Sequence, residues 1–458
     1  MINIKYFTEK AALNNKAKSG LFLVELEGLK KSTSKAIKRQ KLNLSLVIDV
    51  SGSMADLIAP HNHVEYNSTL QTRLGMQAII GNHLPNFPQF QENMGRSWGT
   101  NKMELVKKAA IKAVESLKEG DFVSLVIFNT SSSVVREATK VTAESKMAMI
   151  KSISELRANG GTNLHSGWLS GATEVVKNLK EKYINRVMVL TDGETQTGIV
   201  DPKEIAKDVA AIYKSGVTTS TFGVGNRFNE TLLQSMSDTG GGNFYYIQDE
   251  KEFDQMFSEE FTGMANVAAT EISLQLELKD GFKIAEQMNS YEANNGVYKL
   301  ANVLSGKKLS VLFKLDTDFG AKPASHVVLG ELTVEYKDEN GNKVNQVIQL
   351  EADVLSEKKW EKLDFIQEVK IQETLLMIAK NKSDASAAIA AGNLEGAKGL
   401  LRSASGMLGS CEYADARISA SMASLNTTLS NADTMDSESL KKSMHYEAYK
   451  TRSGKDLG

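Results

Sequence analysis

A single cysteine, Cys411, leaves no partner for a disulfide within the chain. That fits a reducing compartment, and without a cysteine cluster a RING module is excluded. No run of about 18 apolar residues occurs, so no helix is expected to span a membrane. Residues Met1–Lys10 lack the apolar core of a signal peptide, which gives a cytoplasmic reading. Neither sign of charge dominates: 54 Lys and Arg face 56 Asp and Glu, for a net charge of −2. A nucleic-acid partner therefore has no electrostatic basis. Phosphate loops are absent too, because no Lys-Ser/Thr follows Gly223-Val224-Gly225 or Gly240-Gly241-Gly242 at the required distance. There are only 5 prolines, and most of them fall between Ala55 and Thr100.

What is present centres on residues 44–54. Leu44–Ile48 is almost continuously apolar with two β-branched residues, the pattern of a strand buried on both faces of a parallel sheet. Asp49, Ser51 and Ser53 then place oxygen-bearing side chains at alternate positions, with Gly52 allowing a tight turn between them. A carboxylate with two hydroxyls at the carboxyl end of such a strand suits a hard cation that takes oxygen ligands. Two further pieces come later in the chain. One is Gly160-Gly161-Thr162-Asn163-Leu164. The other is Val187–Gly193, in which Asp192 ends an apolar run.

Together these three pieces resemble the metal-ion-dependent adhesion site of von Willebrand factor A (VWA) domains. The resemblance implies that Ser51 and Ser53 coordinate a divalent cation directly, and Thr162 directly or through water, the ion being Mg²⁺ or else Mn²⁺ or Ca²⁺. Asp49 and Asp192 then hold ligated waters and supply negative charge. It further implies a coordination position that a partner's Asp or Glu completes. The function expected on this basis is a metal-dependent interaction module, an adaptor or scaffold, and not an enzyme. The layout is similar to intracellular bacterial VWA proteins that work beside an AAA+ ATPase, a kinase or a stress-response factor. The alternative is a metal-dependent hydrolase with His165 or Glu194 as general base, although neither spacing is a recognised catalytic arrangement.

The expected architecture is an α/β, doubly wound, mostly parallel sheet, followed by an antiparallel β-sandwich and a C-terminal helical bundle. Residues 1–41 form an N-terminal segment whose strand at Leu21–Glu27 joins the sandwich. Its basic stretch Lys30–Lys41 reads as a solvated loop. Residues 42–265 alternate strand and helix signals, with an insertion at 55–100 that relatives of this type lack. That insertion contains an HxH pair, His61 and His63, without the second ligand pair that zinc spacing needs. It is read as a lid or docking element beside the cation. Residues 266–355 alternate strictly, as in Ile272, Leu274, Leu276 and Leu278, with an Asn340-Gly341 hairpin turn. Residues 356–458 are helical. A long helix is expected at Glu357–Lys380 and a break at Gly392-Asn393, and the tail from Leu440 reads as a frayed terminus or docking peptide.

Overall fold

The computed structural model describes residues 1–29, 40–57, 101–248 and 252–454, the last without positions 253–255, 257–259, 262, 264–265, 290, 292, 319–323 and 434. The basic stretch at 30–39, the insertion from 58 to 100 with His61 and His63, and much of a helix expected at 250–264 lie outside the described residues. The chain divides into two compact units.

The α/β unit comprises Lys41–Phe261 and Ser430–Lys442. Its strands are β1 (Lys41–Asp49), β2 (Phe122–Phe128), β3 (Ser132–Lys140), β4 (Tyr183–Thr191), β5 (Val217–Val224) and β6 (Gly241–Ile247). Its helices are α1 (Lys102–Ser116), α2 (Ala143–Ser154), α3 (Leu164–Lys177), α4 (Pro202–Lys214) and α5 (Glu230–Thr239). The sheet order is β3-β2-β1-β4-β5-β6, parallel throughout except for the edge strand β3. Strand β1 is therefore central, and every residue from Leu42 to Val50 is buried, as an interior parallel strand requires. Close packing of α3 on the sheet depends on two glycines one helical turn apart. A Cβ on Gly171 would come 2.2 Å from Val47, and one on Gly167 would strike the Phe128 ring.

Ser430–Lys442 is tied to the rest of this unit by Lys442, with Lys441 also reaching Glu230, at 3.2 Å. The Lys442 ammonium is buried, donating to the Phe228 carbonyl at 2.6 Å and to Glu230 at 2.5 Å, and it lies 4.5 Å from the centroid of the Phe228 ring. Residues Ser437–Arg452 form a helix, so the expectation of a frayed tail fails.

The second unit comprises Met1–Gln40, Thr262–Leu429 and Ser443–Gly458. Four strands, Ile2–Thr8, Ser19–Gly28, Lys308–Thr317 and Phe282–Gln287, make one antiparallel sheet in that order. A second sheet is built on Val267–Leu278, Ser325–Asp338 and Lys343–Leu355. It is mixed and not wholly antiparallel, because Leu13–Asn14 returns parallel to Val354–Leu355. Buried residues of both sheets, among them Phe22, Val24, Leu274, Phe313 and Leu332, form one hydrophobic cluster. Helices follow at Gln367–Ala390, Leu394–Gly409 and Ala416–Asn431. The long helix expected at Glu357–Lys380 is interrupted after Trp360. There the Ile366 amide donates to the Glu9 carbonyl, Lys10 bridges to Phe365, and the Lys10 ammonium sits 4.3 Å from the centroids of both Trp360 and Phe365. Backbone committed to a neighbouring strand cannot also be helical. Among the described residues no helix is long and apolar enough to cross a membrane.

The Glu230–Lys442 pair gives a pH test. Burial opposes ionisation of Glu230, but the hydrogen bond and charge of Lys442, with Lys441 beside it, outweigh burial and pull the carboxyl from 4.5 to about 2. A depressed carboxyl pKa contributes stability above its unfolded value and loses it as pH falls. Anchoring of Ser430–Lys442 is therefore expected to be full above about pH 4.5 and to weaken toward pH 2. Amide protection factors in Ser437–Lys442 measured across that range check this, and Glu230→Gln should reduce their pH dependence to what Asp436, whose carboxyl is also held low, contributes.

Candidate functional site

The strand order reverses between β1 and β4, which opens a crevice at their carboxyl ends, the usual place for ligands in open α/β sheets. Asp49 ends β1 and Asp192 follows β4, and both are fully buried. Both Asp49 carboxylate oxygens have donors: the Ser51 amide at 2.7 Å and the Thr191 hydroxyl at 2.5 Å. Burial pushes the Asp49 carboxyl up to about 6, against these hydrogen bonds and with a small contribution from the charge of Asp192.

The hydroxyls are linked in a chain. Ser51 Oγ lies 3.2 Å from Ser53 Oγ, and Ser53 Oγ donates to Asp192 Oδ1 at 2.8 Å. The third piece crosses over the turn. The Gly52 amide donates to the Gly160 carbonyl at 2.9 Å and the Asn159 amide to the Val50 carbonyl at 2.7 Å. Gly160 has φ +78, a conformation that favours glycine. Thr162, buried, sits beside Gly193 and Ser53, since a Cβ on Gly193 would meet Thr162 Oγ1 at 3.3 Å and Ser53 Oγ at 3.6 Å. Its carbonyl accepts from the Gln196 and Thr197 amides, which ties the loop to the segment after β4. Asn163 caps α3 by accepting from the Ser166 amide at 3.1 Å. The structure thus brings Asp49, Ser51, Ser53, Thr162 and Asp192 into one crevice.

Two other residues named from the sequence diverge. Glu194 is exposed and lines a cleft with Ser53 and Thr162. His165 lies on α3 and is absent from that lining; its Nε2 is 2.9 Å from Asp208 and its ring packs near Trp168.

Lys102 was not legible as a site residue. It opens α1, is buried, and places Nζ 2.6 Å from Asp192 Oδ2. The second oxygen of Asp192 thus carries a cationic partner while the first faces Ser53. In sequence Lys102 is one of several lysines on a helix, with nothing to separate it from Lys107 or Lys108. Its position also fixes the ends of the insertion. The Lys102 amide donates to the Asp56 carbonyl at 3.1 Å, Asn101 Nδ2 donates to the Ala55 carbonyl at 2.6 Å, and Leu57 bridges Asn101.

Residues 95–259 match the family model of the von Willebrand factor type A domain. That match begins beyond the Asp49–Ser53 turn, so the turn's place in the domain rests on β1 being hydrogen-bonded between β2 and β4. The chain is 27% identical over 384 residues to the uncharacterized protein sll0103 of Synechocystis, covering 80% of this chain and 87% of that one. It is 28% identical over 233 residues to the uncharacterized protein YfbK of Escherichia coli, covering 49% of this chain but only 40% of YfbK. Among solved structures, a von Willebrand factor type A protein from Catenulispora acidiphila superposes with TM-score 0.64 at 17% identity, over 93% of this chain and 90% of that one. At that identity the likeness is one of fold.

This geometry generates two predictions. Lys102→Met strands a buried Asp192 carboxylate and is expected to cost on the order of 3 kcal/mol, the scale for breaking a buried ion pair from one side. Adding Asp192→Asn should restore much of the loss, read as melting temperature. Separately, replacing residues 58–100 with a short Gly/Ser linker is expected to leave the melting temperature of the protein unchanged, because Ala55–Leu57 and Asn101–Lys102 already hold the two ends together. Loss of folding would show that the excised residues belong to the core.

Proposed function

We propose that this chain, which carries a von Willebrand factor type A domain, is a cation-dependent protein-interaction module that captures an Asp or Glu side chain of a protein partner. The observation that carries this is the convergence of five oxygen-bearing side chains on the β1–β4 crevice, two of them buried carboxylates. The donor set fits a hard cation. The 3.2 Å separation of the Ser51 and Ser53 hydroxyl oxygens is close to the edge of about 3.0 Å in an octahedron with bonds of about 2.1 Å. The five donors are all oxygens, with no imidazole or thiol among them, so the site favours Mg²⁺ or Mn²⁺, or Ca²⁺, over zinc.

In this reading Ser51 and Ser53 would hold the cation, Thr162 would hold it directly or through water, and Asp49 and Asp192 would hold its waters. When bound, it supplies a coordination position that an incoming carboxylate completes. Lys102 adds a physical reason for that preference. Asp49 and Asp192 bring two negative charges and Lys102 one positive, so a site loaded with a dication keeps net positive charge and attracts an anion. Buried Asp49, with both oxygens already accepting hydrogen bonds, fixes the turn. The two further sheets, read as layers of a β-sandwich, and the helical region serve as scaffold. We further propose a place in a cytoplasmic bacterial assembly, with an AAA+ ATPase, a kinase or a stress-response component as partner; an uncharacterized bacterial relative matches along 80% of this chain. The hydrolytic alternative is weaker: His165 does not line the cleft, and of the two candidate bases only Glu194 reaches it.

The test uses the full chain and a short peptide with one Asp. Binding is expected in Mg²⁺ and lost in EDTA, and lost when the peptide Asp becomes Asn. Ser51→Ala with Ser53→Ala should weaken cation binding at least tenfold, about 1.4 kcal/mol, with the circular dichroism spectrum unchanged. Undiminished cation affinity in that double variant would sink the reading.

A further inference from the structure

A polar cleft of about 550 Å³ opens beside the site, a volume suited to a short peptide segment or small ligand. One wall holds Ser53, Thr162 and Gly193, and the other is built from the 226–230 loop and from Lys441 and Lys442. Three cationic side chains line it, and two are already committed. Lys442 is buried against Glu230 and the Phe228 carbonyl. Lys441 bridges Glu230 at 3.2 Å and Glu438 at 2.7 Å.

Arg227 differs. Its side chain is 66% exposed, and it meets Asp56, itself 46% exposed, at 3.1 Å. An exposed pair of this kind is held weakly. Asp56 is one step from the site, because its amide donates to the Ser53 carbonyl at 3.0 Å. A guanidinium there can exchange one carboxylate for another and bind the new one in a two-point, charge-assisted contact.

Resting on the proposed capture of a carboxylate by the cation, we infer that Arg227 is a second anchor, so that the favoured ligand is a protein segment with two acidic side chains. One carboxylate goes to the β1–β4 crevice. The other displaces Asp56 from Arg227. Asp56 thus holds the guanidinium in reserve and competes with the ligand for it.

This gives two variants with opposite signs. The probes are synthetic, C-terminally amidated peptides carrying one Asp, or two Asp separated by a graded series of Gly/Ser spacers, titrated against the full chain in Mg²⁺. The wild type is expected to prefer the diacidic peptide at its best spacer by about tenfold, the scale of a charged hydrogen-bond contact. Arg227→Gln should erase that preference and leave the monoacidic affinity unchanged. Asp56→Asn should raise diacidic affinity by about two- to threefold, the scale of the exposed pair it removes. Equal weakening of both peptide classes by Arg227→Gln would overturn the inference, because the guanidinium would then only support the turn. Weaker diacidic binding in Asp56→Asn, or no preference in the wild type at any spacer, would overturn it as well. EDTA separates the two readings: monoacidic binding that survives EDTA counts against the cation and leaves the Arg227 comparison standing.

Discussion

Each oxygen of the buried Asp49 carboxylate accepts a hydrogen bond. One holds the amide of Ser51 and so bends the chain out of β1. The other holds the hydroxyl of Thr191 at the end of β4. A single buried group therefore clamps the two central strands at the point where the sheet changes direction. Taking a carboxylate out of water is costly unless it is hydrogen-bonded. Here the compensation comes from the two segments whose relative position the crevice requires.

The remaining side chains are arranged by that clamp. Ser53 reaches Asp192 only because the turn after Asp49 is tight, and the loop of Thr162 lies over the turn because the Gly52 amide and the Val50 carbonyl are turned toward it. Lys102 enters from a different direction, at the start of α1, and completes Asp192 from behind. The result is an asymmetric pair of acids. One is neutralised by a neighbouring cation, while the other is held by hydrogen bonds and pushed upward by burial.

Much of this was visible in the chain, for reasons that differ by residue. The run Leu44–Ile48 and the alternation Asp49, Ser51, Ser53 are local, and local pattern fixes both a buried strand and the polar turn at its end. Gly392-Asn393 likewise marks a helix end, since the helix stops at Ala390 and the next begins at Leu394. Features defined by a distant partner could not be read. Lys102 and Lys442 are buried cations whose counter-charges lie far away in sequence, and an isolated lysine on a helix carries no mark of burial. The interruption after Trp360 has the same origin. Its apolar spacing continues as a helix would, and only contacts with Glu9 and Lys10 break it. The parallel return of Leu13–Asn14 involves too few residues to leave a pattern.

The bridge between Leu57 and Asn101 has a consequence for how such a chain can change. Closing a loop becomes only slowly more costly as it lengthens, by roughly 0.6 kcal/mol for each doubling. Once the two ends are pinned, the stretch they enclose is nearly free to vary in length and composition without disturbing the sheet. That freedom sits at the rim of the crevice, next to Asp56 and one turn from Ser53. The position works as a socket, where one enclosed stretch can be exchanged for another while the same buried clamp is kept beneath it.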